Sequence, residues 1–292
     1  MSSRTVATGG SIADLGTPRI DDMRVLLTND DGIAATGLQA LRRALARLEG
    51  VEVVTIAPDS NRSATARSIT TRSPLSVEEV TFEDGDVGYA TDGTPVDCVR
   101  FADLGLGGGR PDLIVSGINH GANLGDDITY SGTVAAALEG IVLGIPAIAL
   151  SQQSANGGMG YVHGEFDFAL GAEFTARMVE RLRTEAMPEA TLINVNFPGV
   201  EVTGVEVTTL GKRIYNDELK LLDETDHRGR KVYEIYGWKP SYEKAEGTDL
   251  NAIASGRIAV TPLHFDLTDH GGLENLRGWG LEEMLGASTS AA

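Results

Sequence analysis

The chain of 292 residues holds a single cysteine, Cys98. An internal disulfide is therefore excluded, and the composition fits a reducing cytoplasm. Basic residues are also scarce: 24 Lys and Arg stand against 42 Asp and Glu, a formal net charge of −18. Such a chain lacks the basic footprint of a general nucleic-acid binder. A small anionic substrate stays open, because a bound divalent cation inverts the local field. No apolar run reaches the length of a membrane span, so no transmembrane helix is expected. Residues 1–22 lack the basic start and apolar centre of a secretory signal. They are rich in Ser, Gly, Thr and Asp, and we expect a disordered leader, with Met23 a second possible start. No G-x-G-x-x-G follows the first apolar run, and G-x-S-x-G is absent. The signatures of a dinucleotide-binding dehydrogenase and of a serine hydrolase are thus missing.

What is present is organised around residues 23–33 (MRVLLTNDDGI). Val25, Leu26 and Leu27 predict a short strand buried on both faces. It stops at Thr28-Asn29-Asp30-Asp31-Gly32, which places side-chain oxygens at the strand's carboxyl end. In open α/β sheets that edge binds ligands. Adjacent carboxylates repel, and they stay ionised together most readily beside a cation. A site for a hard metal is one reading; a plain turn is the other, since these residue types all favour turns.

Thr36 is placed to cap a helix, with Leu38, Leu41, Leu45 and Leu48 at helical spacing and Glu49-Gly50 at its end. Residues 51–57 (VEVVTIA) predict a second strand. This strand–helix–strand unit of about thirty residues implies a parallel sheet with a right-handed crossover. A hydroxyl-rich loop follows, residues 58–68, containing Ser63, Arg62 and Arg67; it suits a phosphate, a metal or plain solvent. Residues 69–90 alternate weakly and predict extra strands. Gly93-Thr94-Pro95 leads into a helix with Pro95 in its first turn. Cys98 reads as a packed core thiol. Residues 112–115 (DLIV) predict another buried strand, ending in a run of Gly, Asn and Asp over residues 116–127. Ser131-Gly132-Thr133 then opens a helix whose free N–H groups and hydroxyls suit an anion, or a simple cap. Further strands are expected at residues 145–150, 192–197 and 258–262, and helices from Phe166 to Leu182 and from about Leu273 to Leu285. Residues 226–229 predict a hairpin turn between LKLLDE and KVYEIY. Its exposed aromatics, Tyr215, Tyr233 and Tyr236, suggest contact with a partner subunit.

Taken together, the segments MRVLLTNDDG, APDSNRS, GTPVDCV, SGINHGANLG, YSGTV and VTPL occur in an order and at intervals that resemble the SurE family, the stationary-phase survival nucleotidases. The resemblance covers about residues 23–269. It implies an α/β fold: a Rossmann-like, mostly parallel sheet with helices on both faces, over residues 23–200. An extended hairpin and C-terminal region, residues 201–292, would serve oligomerisation, with a strand near 258–263 returning to the core. It implies a metal-dependent phosphatase that releases phosphate from nucleoside monophosphates, a 5′-nucleotidase with 3′-nucleotidase and exopolyphosphatase activity as further options. By motif match, one divalent ion per subunit, Mg²⁺ or Mn²⁺, would be held by Asp30, Asp31, Ser63 and Asn119. The phosphate pocket would comprise Asn123, Ser131, Gly132 and Thr133. Asp30 or Asp31 would accept the proton of the attacking water. A homodimer or homotetramer in the cytoplasm is expected, with a small nucleotide as substrate and neither nucleic-acid polymer nor membrane as partner.

The residue types agree with that chemistry, because carboxylate, amide and hydroxyl oxygens suit Mg²⁺ or Mn²⁺ better than Zn²⁺. His120 and His264 are further acids to consider, His120 as a loop residue near the site and His264 as a structural one. The alternative from another class is a receiver-like, Mg²⁺-binding signalling module. It would need a phosphoacceptor aspartate at the end of a middle strand, where this chain reads Ser-Gly-Ile-Asn, and such modules are much shorter.

Overall fold

A computed structural model describes residues 22–159, 164–235 and 241–285. The expected leader and Tyr236 lie outside the described residues. The chain builds an α/β sheet of nine strands among the described residues. Its middle is parallel: β1 (Met23–Thr28), β2 (Val51–Pro58), β4 (Val87–Thr91), β5 (Leu113–His120), β6 (Ala147–Gln152) and β7 (Thr191–Phe197). β3 (Val77–Thr81) runs antiparallel on one edge. On the other edge β13 (Arg257–His264) pairs antiparallel with β7 and parallel with β8 (Gly204–Val207). The order β3-β4-β2-β1-β5-β6-β7-β13-β8 has a consequence for function. From β1 the chain steps outward to β2 on one side, and it returns to β5 on the other. The crevice between the ends of β1 and β5 is therefore the topological switch point, where such sheets bind ligands.

Alternation along each strand feeds two cores. Val25 and Leu27 of β1, Leu113 and Val115 of β5, and Ile148 and Leu150 of β6 face helices α1 (Thr36–Leu45) and α4 (Ala169–Leu182). Leu26, Ile114, Ala147 and Ala149 face α2 (Pro95–Asp103) and α3 (Gly132–Leu143). Each strand is apolar on both sides because each side is covered. Small residues on α3, Ala136 and Ala137, let that helix lie close; a Cβ on Gly140 would come within 2.8 Å of the Ile114 side chain. α2 starts with a capping box between Thr94 and Asp97, with Pro95 in the first turn as expected. Cys98 is fully buried and burial pushes its thiol pKa up, so it is a packing residue.

Four expectations need correction. Thr36 is the first residue of α1 and not its cap; Ala35 holds the cap position without a side-chain bond. β5 continues through Ser116-Gly117-Ile118-Asn119 to His120, so Asn119 lies within the strand, where the pairing with β6 shifts register. α4 begins at Ala169, leaving Phe166 and Phe168 in the preceding loop. The last helix, α6, is only Gly272–Arg277: Gly278 holds its C-cap position and Gly280 follows at φ 63°.

The hairpin is formed by β10 (Lys220–Thr225) and β11 (Lys231–Glu234), antiparallel as expected. Its base is tied down by β9 (Arg213–Ile214) and β12 (Ser241–Tyr242). Arg213 bonds Asp127 through Nε at 2.8 Å, and the Tyr215 hydroxyl donates to Asp127 at 2.7 Å. Asp249, at the start of α5 (Asp249–Ala254), is fully buried and accepts from the backbone N–H of Gly125, Gly211 and Leu250, each at 2.8 Å. One carboxylate thus joins the hairpin base to the loop before α3. Asp249→Ala leaves those donors buried and unpaired, at about 1–3 kcal/mol for each. We expect a loss of about 3 kcal/mol or more, read as a lowered urea midpoint at unchanged slope.

Candidate active site

The turn after β1 is built by Asn29 and Gly32. Asn29 Nδ2 donates to the Gly32 carbonyl at 2.9 Å, and Gly32 N–H donates back to Asn29 Oδ1 at 3.1 Å. Gly32 has φ +102° and lies against the Ser60 backbone, so a side chain is excluded there on both counts. The turn residues and the chemical residues are thus different members of one segment. Asn29 and Gly32 close the loop, and this frees Asp30 and Asp31 to face the crevice.

Asp30 is buried. Its Oδ1 accepts from the Thr133 hydroxyl at 2.5 Å. Burial first, and the neighbouring Asp31 charge second, push its carboxyl pKa from 3.8 up to about 6; the bonds from Thr133 act the other way. Helix α3 reaches Asp30 only because residue 132 is glycine. A Cβ there would stand 2.7 Å from the Asp30 Cβ. Ser131 caps the same helix, its hydroxyl oxygen accepting from Val134 N–H at 3.1 Å. Its own O–H proton remains to donate, and the positive end of the helix dipole lies beside it.

Asp31 is held differently. Its Oδ2 accepts from the backbone N–H and from the ring Nδ1 of His120, both at 2.9 Å. Its Oδ1 accepts from Asn61 Nδ2 at 3.2 Å. Asn61 Oδ1 in turn accepts from Ser63 N–H at 2.8 Å. The loop carrying Ser63 is drawn over the β1 turn by Arg62 N–H, which donates to the Asp30 carbonyl at 2.7 Å. It is anchored on α3 by Arg67, which bonds buried Glu139 at 2.6 Å. Ala64 and Ala66 adopt φ of 59° and 52°, left-handed values that a side chain disfavours, so this loop is bent against its local preference.

At the end of β5, Asn119 Nδ2 donates to the Gly121 carbonyl at 2.8 Å, which leaves Oδ1 free of that bond. Asn123 is buried and braced from β6 and β7. Its Nδ2 donates to Ser151 Oγ at 2.7 Å, and its carbonyl accepts from Asn194 and Asn196, each at 3.0 Å. The expected residues therefore group unevenly. Asp30, Gly132 and Thr133 are in direct contact; Asp31 reaches Ser63 through Asn61 and neighbours Asn119 through His120. Among the described residues no hydrogen bond joins Asn123 to the other expected site residues. His264 is exposed at the end of β13, where Nδ1 accepts from Asp266 N–H at 3.2 Å.

Supporting residues that the sequence reading did not single out are Asn61, Asn194 and Asn196, and Thr36, expected as a helix cap, instead meets His120. The two asparagines of β7 carried a readable signal. They are polar at alternate positions of an otherwise apolar strand, hence on one face.

The donors available to a cation here are oxygens: two carboxylates, the Asn119 amide and the Ser63 hydroxyl. Among the described residues no three His, Cys, Asp or Glu side chains converge on a metal position. Nor is either aspartate paired with a lysine or arginine among the described residues. Burial and the neighbouring Asp31 charge raise the Asp30 carboxyl, and an oxygen donor set of this kind fits a hard divalent cation.

The chain as a whole is similar to known proteins. The family described as "Survival protein SurE" matches residues 25–217. The chain is 51% identical over 270 residues to the 5′-nucleotidase SurE of Rubrobacter xylanophilus, covering 90% of this chain and 99% of that one. It is 45% identical over 260 residues to the 5′-nucleotidase SurE of Chloroflexus aggregans, covering 88% and 99%. The crystal structure of the SurE protein from Aquifex aeolicus superposes with a TM-score of 0.70 at 38% identity, over 89% of this chain and 99% of that one. With a family match over residues 25–217, relatives up to 51% identical over most of both chains and a shared fold, this chain belongs to the SurE family.

Proposed function

We propose that this chain is a divalent-metal-dependent 5′-nucleotidase that hydrolyses nucleoside monophosphates to nucleoside and phosphate. The observation that carries the reading is the contact of Asp30 with the start of α3 through Thr133 and the gap left by Gly132. It sets an acidic cation site directly against an anion site, which is the arrangement phosphoryl transfer needs. Asp30, Asp31, Ser63 and Asn119 would hold the ion, and Mg²⁺ or Mn²⁺ suits their oxygens. Bound there, the ion would polarise a phosphoryl oxygen and acidify a water. The Ser131 hydroxyl and the first N–H groups of α3 orient the phosphate oxygens and take up charge as it develops. Asp30 or Asp31 would accept the proton of the attacking water. Asn123, braced by Asn194, Asn196 and Ser151, forms the far wall of the phosphate pocket.

These groups address the phosphate and not a base, which supports 3′-nucleotidase and exopolyphosphatase activity as secondary reactions. The receiver-like alternative has no support at β5, where Asn119 stands in place of a phosphoacceptor aspartate. Residues 201–292 are read as an assembly region of a homodimer or homotetramer. Leu219, Leu221, Tyr233 and Ile235 are exposed on or beside the hairpin. A cytoplasmic location agrees with the single reduced cysteine.

The first test is phosphate release from a panel of nucleoside monophosphates. EDTA should abolish it and Mg²⁺ or Mn²⁺ restore it, with Asp31→Asn slower by roughly a hundredfold or more. Turnover unaffected by EDTA, or by the substitution, overturns the metal reading. A second test uses the metal-free protein. The Asp30 pKa is about 6 folded against 3.8 unfolded, so the folded state holds the extra proton between those values. Stability therefore falls as pH rises from about 4 to about 6, and the full penalty, roughly 3 kcal/mol, stands above that. In EDTA at pH 8, Asp30→Asn should unfold at higher denaturant than wild type, and the difference should close towards pH 4. A variant less stable than wild type at pH 8 refutes this account of Asp30. Third, Leu221→Glu with Tyr233→Glu should shift the protein to a smaller species in sedimentation, whereas an unchanged mass removes the hairpin from the interface.

A further inference from the structure

We propose that His120 is a positioning residue, which fixes the Asp31 carboxylate so that Oδ1 alone is presented to a cation. This rests on the metal-dependent reading above. The sequence left His120 as a loop residue near the site, but the geometry gives it a defined task. Its backbone N–H and its ring Nδ1 converge on one oxygen, Oδ2 of Asp31, both at 2.9 Å. An ionised carboxylate only accepts, so Nδ1 carries the ring proton. Nε2 lies 3.0 Å from the Thr36 hydroxyl, within hydrogen-bond distance. Both ring nitrogens are thus engaged, and neither is free to protonate a leaving group.

The ring itself is clamped. Phe166 and Phe168 meet it edge-on, with centroids at 5.2 and 4.8 Å. Thr36 opens α1, which packs so tightly on β5 that a Cβ on Gly37 would fall 2.1 Å from the Ile118 carbonyl. The imidazole is therefore a rigid strut between α1 and Asp31. Oδ2 is occupied by two donors, while Oδ1 carries a single longer bond from Asn61 at 3.2 Å. Oδ1 keeps a lone pair for a cation. Without the strut, repulsion from Asp30 would turn Asp31 into another staggered rotamer. The arrangement is the one in which an outer histidine orients a ligating carboxylate, with the roles of the two side chains exchanged relative to carboxylate–histidine–metal triads.

Two substitutions separate the hydrogen bond from the ring packing. His120→Phe keeps a ring between Phe166 and Phe168 and loses both polar contacts. His120→Asn loses the packing, but its amide nitrogen is bonded to Cγ as Nδ1 is and can donate to Asp31. Mn²⁺ binding to the purified full chain, measured by calorimetry without nucleotide, is the primary readout. His120→Phe should weaken Mn²⁺ by about tenfold or more, and His120→Asn should stay close to wild type. In turnover, the metal concentration for half-maximal rate should rise for His120→Phe, with KM for nucleotide at saturating metal unchanged. Should His120→Phe not fold, His120→Ala replaces it in the comparison with His120→Asn. Wild-type Mn²⁺ affinity in His120→Phe, or equal weakness in the asparagine and the phenylalanine or alanine variants, overturns the proposal. A wild-type protein that binds no Mn²⁺ overturns the metal reading and this inference together; binding with unchanged variants overturns this inference alone.

Discussion

Two carboxylates on consecutive residues, one of them buried, form the constraint around which the rest of the site is arranged. Asp30 and Asp31 cannot both be charged at the end of β1 without compensation, and burial makes the conflict sharper for Asp30. The protein supplies partial compensation from fixed dipoles. Thr133 and the start of α3 serve Asp30; His120 and Asn61 serve Asp31. No arginine or lysine is spent on either aspartate among the described residues. A guanidinium there would satisfy the pair permanently and close the position to a metal.

This arrangement depends on close backbone approach more than on side-chain bulk. Gly132 lets α3 touch Asp30, Gly32 lets the turn lie on Ser60, and Gly37 lets α1 press on β5. Each is a place where an added methyl group would displace an element that carries a site residue. The hairpin base extends the same logic outward. Asp249 and Asp127 fasten the segment just before Ser131 to residues 211–215. The start of α3 is consequently held from the core by Asp30 and from the C-terminal region by two buried aspartates. Assembly through the hairpin would bear directly on that second anchor.

Much of this was legible in the sequence, for physical reasons that differ by residue. The βαβ periodicity marked β1, α1 and β2, because buried parallel strands and amphipathic helices leave different repeats. Polar residues at three strand ends announced the site edge. The turn reading of residues 29–32 holds for Asn29 and Gly32, which close the loop and leave the two aspartates to face the crevice. What could not be read were relations between distant residues of ordinary type. Thr36 looked like a helix cap, and its hydroxyl instead meets His120, 84 positions along the chain. Asn61 sat in a loop where hydroxyls drew the attention. Asn194 and Asn196 hold Asn123 from β7, a contact that exists only once the strands are ordered. α6 was overextended because leucines spaced at helical intervals beyond Arg277 mimic an amphipathic stripe.

The two aspartates are chemically alike and structurally unequal, and the inequality suits them to different work. Asp30 is enclosed, has Thr133 on one oxygen, and has a raised proton affinity. Asp31 has Oδ2 doubly bonded by donors on a clamped ring and a strand backbone, with Oδ1 almost free. A group with raised proton affinity suits exchange of a proton with water, and a group with a fixed, open oxygen suits steady ligation. Their environments come from different parts of the fold. The first is made by α3 and the sheet interior, the second by α1, the end of β5 and the loop after β2. Because β1 lies at the switch point, one short turn faces both sets at once. A single strand end can therefore give two adjacent carboxylates different surroundings without a third acidic residue.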